Sequence, residues 1–177
     1  MSDLERRAEE WITPYWNAEH LRRTRDWLVE LAPGADEAAR LAALTHDMER
    51  HFPGGPSVSL EDPVGEPLYN DEHSRRSAEI VAAWLRDEGA DDDLARRVEA
   101  LVLLHETGGT PDADLVQAAD SLSFLEVNSG LVESWVRDGR CSRERGVEQL
   151  RWMFDRMRVE RARELGRSLL EDAVARV

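Results

Sequence analysis

Six side chains able to ligate a metal stand along this chain in the order His20, His46-Asp47, His73, His105 and Asp120. Four of the five histidines are used, each on a different predicted helix and each on or beside that helix's apolar stripe. One inward histidine is ordinarily a core residue satisfied by a hydrogen bond. Four imidazoles and two carboxylates buried without partners would cost roughly 2–7 kcal/mol per polar group, and more for an ionised acid. Cations at their point of convergence remove that cost. Imidazole mixed with carboxylate suits iron or manganese, with zinc as the alternative, rather than calcium. Six ligands exceed what one tetrahedral site needs, so the set predicts two divalent transition-metal ions sharing Asp47, roughly 3.5–4 Å apart. His46 and Asp47 point about 100° apart on a helix, and an ion between those directions is within reach of both.

The elements that must carry these groups are helices. Thr13-Pro14 reads as a cap and first helical residue, opening a helix that runs to about Leu31, with Trp16, His20, Trp27 and Leu31 on one stripe. A second helix covers about Asp36 to His51, and its Leu41-Ala42-Ala43-Leu44 run buries it. From Phe52 to Asn70 the chain holds four of its seven prolines and three glycines, a long loop between two ligand-bearing helices and a candidate lid. Helical period returns over about 71–88, with His73, Ser77, Ile80 and Trp84 aligned. It resumes over about 92–106, where His105 extends the stripe of Leu94, Val98 and Leu101. Further helices are expected over about 112–128, about 131–138 and, long and charged, about 142–176. No strand alternation or repeat appears. The fold class is all-α, a helical bundle ending in a long helix.

At 177 residues the chain suits one domain over 1–177, with a metal-binding core at about 13–130 and a C-terminal helical extension at about 131–177. The extension carries a helical stripe of Val147, Leu150, Phe154, Met157, Leu165 and Leu169 that fits core packing or a second copy, so monomer and homodimer both stand. A net charge of −14, with arginines dispersed among acids, disfavours long nucleic acid and anionic membrane. One cysteine, Cys141, forms no internal disulfide, and the charged MSDLERRAEE start lacks the apolar stretch of a signal peptide. A cytoplasmic protein is the expectation.

The segments AALTHDMER, DEHSRRSAEIV, LVLLHETGG and QAADSLSFLE, in that order after His20, resemble the HD-domain superfamily of metal-dependent phosphohydrolases. The likeness covers His20 to about Asn128. It implies an HD-domain-like bundle in which His20, His46, Asp47 and Asp120 hold one metal, His73 and His105 the second, and Asp47 bridges. The His105-Glu106-Thr107-Gly108 segment and Ala119-Asp120 look like the branch that hydrolyses dinucleoside polyphosphates. The implied activity is hydrolysis of a phosphoester or phosphoanhydride in a small phosphorylated metabolite or nucleotide by a metal-bridging hydroxide. The same superfamily includes mixed-valence diiron oxygenases that cleave C–H or C–P bonds with the same ligand order. A non-catalytic regulatory module that keeps its metal for structure is the third reading.

Around the ligands, Asp47 and His51 are the catalytic candidates, His51 as a proton donor one helical turn after Asp47. Arg76 joins them as a phosphate clamp, with Arg50 and Arg75 as further substrate-binding candidates. Glu49, Glu72 and Glu106 adjoin ligands and could orient imidazoles, but read first as surface acids. Ser121, Ser123 and Asn128 are candidate polar contacts, and Thr107-Gly108-Gly109 is either a phosphate-binding turn or a helix stop.

Overall fold

A computed structural model describes residues 1–177, and every regular element in it is helical. Ser2 opens α1 (Asp3–Ile12) through a capping box with Glu5, and Leu4, Ala8 and Ile12 bury its inner face. This helix lies where the sequence suggests only a charged start, although its apolar spacing of four is present. Thr13 therefore ends α1 instead of capping the next helix: its hydroxyl donates back to the Glu9 carbonyl at 2.8 Å. Pro14 to Asn17 form a turn, and α2 begins at Ala18 and runs to Leu31. Trp16 falls outside the expected stripe and is 68 % exposed.

The centre of the bundle is α3 (Glu37–Thr45), capped by Asp36 and packed against α1, α2, α5 and α6. Its EAARLAALT sequence is rich in small side chains, so four neighbours can approach closely while Leu41 and Leu44 fill the space between. The helix does not continue to His51 as its period suggested. It stops at Thr45, and Asp47, at φ −101° and ψ 7°, leads into a short 3-10 turn over Met48–His51.

Then come α4 (Pro67–Asp87), α5 (Asp92–Leu103) and α6 (Pro111–Ser123); α4 opens on Pro67, four residues before the expected start at about 71, so the loop after Phe52 ends at Glu66. A π turn over Phe124–Asn128 joins α6 to α7 (Ser129–Arg137). The expected 142–176 helix is two helices, α8 (Arg143–Asp155) and the 17-residue α9 (Glu160–Arg176). No proline or glycine marks that break. It is tertiary: Met157 enters the core and the Arg156 side chain turns inward. A single apolar cluster runs from Leu4 in α1 to Ala173 in α9. No helix is long and apolar enough to cross a membrane.

The N-terminal helix is tied to the central one by Glu5, whose side chain is buried and accepts from Ser2 N and from Arg40 Nε, both at 2.6 Å. Burial alone would raise the Glu5 pKa, but the bonds from Arg40 and Ser2 outweigh it and hold it below the usual carboxylate value. A carboxylate with a lowered folded pKa stabilises the fold above its unfolded pKa, and loses that effect as pH falls through the folded value. Glu5→Gln should therefore lower stability by about 1–3 kcal/mol near neutral pH. In denaturant titrations at successive pH values, the gap between variant and wild type should narrow only below about pH 4.3, the ordinary value for Glu.

Candidate metal centre

The four histidines reach one buried point from four elements. His20 lies in the first turn of α2 and His73 in α4, while His46 ends α3 and His105 follows the end of α5. All four are at most 2 % exposed. Neighbouring rings stand 5.5 Å apart for His20 and His46, 5.0 Å for His46 and His105, and 5.2 Å for His73 and His105, measured between centroids.

Hydrogen bonding fixes which nitrogen faces inward. His46 Nδ1 donates to the Ala43 carbonyl at 3.0 Å and His105 Nδ1 to the Val102 carbonyl at 2.6 Å, acceptors that leave no other direction for the proton. His73 Nδ1 donates to Glu49 Oε1 at 2.8 Å. Ser123 gives its own hydroxyl proton to the His20 carbonyl, so its oxygen receives the His20 Nδ1 proton at 2.8 Å. Every Nε2 is thereby turned toward the common centre, the tautomer that metal ligation uses. His46 Nε2 and His105 Nε2 are buried with no hydrogen-bond partner at all. Two buried ring nitrogens aimed without a partner into a space lined by carboxylates fit a cation.

The carboxylates complete two ligand groups. Ligating atoms of His20, His46 and Asp47 lie within 4.8 Å of one another, as do those of Asp47, His73 and His105, so Asp47 belongs to both. Asp120 Oδ1 is 3.1 Å from His20 Nε2 and 3.5 Å from His46 Nε2. Asp47 Oδ1 is 2.9 Å from His73 Nε2. The His/Asp cluster can hold a metal ion, and all six sequence-derived ligand residues are brought together in it.

Without an ion, protons take up the charge. Burial would lower the His46 pKa, but the negative charges of Asp120 and Asp47 prevail and raise it to about 9. His73 is likewise opposed by burial and by Arg50, and Asp47 and Glu49 raise it nonetheless. His105 is lowered, chiefly by burial. Asp47 and Asp120 resist the upward push of burial and sit well below the usual range, held there first by Arg50 and by Arg156 respectively.

Arg156 escaped the sequence reading, which placed no site residue beyond Asn128. Its guanidinium, on a side chain only 7 % exposed, bonds Asp120 Oδ2, Glu106 Oε2 and Ser121 Oγ, the last at 2.9 Å. It lies 4.7 Å from the centre of the Trp152 ring. Glu106 is thus no surface acid: burial would raise its pKa, yet Arg156 lowers it to about 2. Glu49 is buried too, shared between His73 and Arg76, whose NH1 is 3.1 Å away. Glu72 is exposed, as read from the sequence.

The other candidates fall on both sides of the centre. Arg50 lies beside it, with Nε 3.2 Å from Asp47 Oδ1 and its guanidinium over the Tyr69 ring. Arg76 bonds Glu49 and the Pro53 carbonyl, and so acts on His73 through Glu49. Arg75 points to solvent and pairs with Glu79. His51 is exposed, edge-on to Tyr15 and Phe52. Neither His51, Arg75 nor Arg76 lines the adjoining cavity, whereas Arg50, Asp47, His20, Asp120 and Glu106 do. Gly108 and Gly109 take positive φ to end the α5 turn, and Gly109 N donates to Asp114. That is a helix stop rather than a phosphate turn. The 52–70 loop does border the cavity, through Val58 to Glu66.

Comparison of the chain with protein-family models, with curated proteins and with solved structures gives no match.

Replacing Arg156 by Gln should leave Asp120 and Glu106 as uncompensated buried charges, a loss of about 3–5 kcal/mol. A divalent cation supplies part of the missing positive charge. The melting-temperature deficit of Arg156→Gln should therefore be largest in chelator and shrink on adding manganese, whereas Arg75→Ala should melt like wild type under both conditions.

Proposed function

We propose that this chain is a metal-dependent phosphohydrolase of the HD-domain type, acting on a phosphoester or phosphoanhydride of a small metabolite. The observation that carries the reading is the convergence of four inward Nε2 atoms with Asp47 and Asp120 at the floor of a cavity whose edge bears Arg50. His20, His46, Asp47 and Asp120 would hold one divalent ion and His73, His105 and the shared Asp47 a second, with iron or manganese preferred by the mixed donor set. When bound, the ions would supply Lewis acidity toward a phosphoryl oxygen and would lower the pKa of a coordinated water.

The chain's own residues do the remainder. Arg50 offers a guanidinium one-third exposed to the cavity, charged at any working pH, where a phosphoryl oxygen arrives. The Nδ1 bonds keep each imidazole in place as charge changes at the centre, so little reorganisation accompanies reaction. Glu106, bonded to Arg156, stays ionised and holds negative charge beside the centre. Arg156 keeps Asp120 Oδ1 turned toward the histidines by occupying Oδ2.

The diiron oxygenase alternative shares this ligand order, so the deciding experiment runs both chemistries. Purified protein should contain close to two transition-metal ions and release phosphate from a phosphate-ester panel under anaerobic conditions with manganese. Oxygen uptake with iron and no phosphate release would overturn the hydrolase reading. Asp47→Ala should lose metal content and turnover together, since both ligand groups depend on it. Arg50→Ala should keep its metal and raise KM by about tenfold or more, the loss of one charge-assisted contact of about 1.5–3 kcal/mol.

A further inference from the structure

Above the metal centre lies a cavity of about 250 Å³, and its walls are aromatic. Both tyrosines of the chain, Tyr15 and Tyr69, line it together with three of the six tryptophans, Trp16, Trp135 and Trp152, and Phe124. These residues come from five separate stretches, the α1–α2 turn, α4, the π turn, α7 and α8, so no single amphipathic helix explains their meeting here. A tertiary arrangement that gathers rings around an open space is what a ligand with an apolar, planar body requires.

Two features define the other end of that ligand. The Tyr15 hydroxyl is buried, on a residue 2 % exposed, and has no hydrogen-bond partner. Arg50 lines the same end: its guanidinium contacts Asp47 Oδ1 at 3.2 Å and His73 Nε2 at 3.4 Å, both groups of the metal centre itself, and its side chain stays one-third exposed. Arg156 is committed to Asp120 and Glu106, and Arg145 to the Leu60 and Asp62 carbonyls. The remaining charged groups that line the cavity are the carboxylates of Asp47, Glu66, Glu106 and Asp120. One anionic group is therefore provided for, at the metal end. A second would meet carboxylates.

We infer that this cavity binds phosphomonoesters of small apolar, ring-bearing alcohols, the phosphoryl group between Arg50 and the Tyr15 hydroxyl and the ring among Trp16, Trp135 and Trp152. The inference rests on the hydrolase reading for its chemistry: water adds to phosphorus, the P–O bond to the alcohol breaks, and the alcohol leaves with one of the water's protons, giving inorganic phosphate. It sets the substrate apart from sugar phosphates, which offer hydroxyls where the walls offer rings, and from polyphosphates. The volume is below the roughly 300–1,000 Å³ of pockets that take drug-sized ligands, so the body is a small one.

The test separates binding from turnover. Para-nitrobenzylphosphonate, which hydrolysis cannot cleave, should quench tryptophan fluorescence of the manganese-loaded protein saturably. Methylphosphonate, followed by its displacement of that probe, should bind at least about tenfold more weakly, the difference that burying one ring makes. Trp16→Ala, at a position too exposed to endanger folding, should weaken the aryl probe severalfold and leave methylphosphonate unchanged. Tyr15→Phe should weaken both alike. In turnover, benzyl phosphate, whose leaving group is an alcohol like that of the sugar ester, should exceed glucose 6-phosphate and benzyl diphosphate in kcat/KM by at least about tenfold. Equal affinity for the two phosphonates, or equal turnover of sugar and benzyl esters, would overturn the substrate class while leaving a hydrolase in place. Tight aryl binding with no ester cleaved would keep the cavity assignment and remove the hydrolase reading.

Discussion

The site depends on where the four histidine protons go. An imidazole buried without a fixed Nδ1 acceptor could present either nitrogen to the centre, and four such choices would leave the cluster without a defined donor set. Helix position decides how each is fixed. His46 and His105 stand where α3 and α5 end, and there the carbonyls three residues earlier, Ala43 and Val102, are not all spent on helical bonds. The chain break that aims each ring also supplies its acceptor. His20 and His73 lie within helices whose carbonyls are engaged, so their acceptors, Ser123 and Glu49, come from other elements. That difference explains why one pair of histidines needs only local sequence and the other needs the assembled bundle.

The same centre concentrates negative charge, and guanidinium groups balance it from outside. Glu49, Glu106 and Asp120 each turn one oxygen to an arginine and the other to an imidazole: Arg76 takes Glu49, and Arg156 takes both Glu106 and Asp120. Asp47 differs, because Arg50 and His73 both lie against its Oδ1. A carboxylate whose contacts gather on one oxygen leaves the other available, which is the property a shared ligand needs. Desolvation of so many ions is expensive, and the arrangement stands only because each has a partner at bonding distance. Fold and site are therefore coupled: α8 cannot withdraw Arg156 without stranding two buried acids.

How legible this was depended on whether a residue's role was set by its own helix or by another. The six ligands could be found because helical period placed them on inward faces, and the bundle followed from the same periodicity. Arg156 could not, because among 23 arginines nothing in its local sequence separates it from Arg151 or Arg158, both exposed. Its role comes from a helix break that carries no proline or glycine. Glu49 and Glu106 differ from expectation for a related reason: each lies past a helix that ends earlier than its period suggests, at Thr45 and not His51, and at Leu103 and not about 106, and that change of boundary turns an outward acid inward. Arg75 and Arg76 show the limit of proximity in sequence. Both follow His73 closely, yet one faces solvent and the other reaches only Glu49.

The two ends of the cavity come from different parts of the chain. Residues up to Asp120 provide the ion-binding floor, while the π turn, α7 and α8 provide much of the wall through Phe124, Leu131, Trp135 and Trp152. The wall also holds the 52–70 loop: Arg145 donates to the Leu60 and Asp62 carbonyls, and Gly65, at φ 67°, packs so closely on the Trp152 indole that a Cβ would collide with it. A smaller residue in place of Trp152 would loosen that loop and enlarge the space above the histidine cluster without touching a candidate ligand. Cavity wall and ligand cluster are consequently separable along the sequence, joined at one point, the Arg156 guanidinium between Trp152 and Asp120.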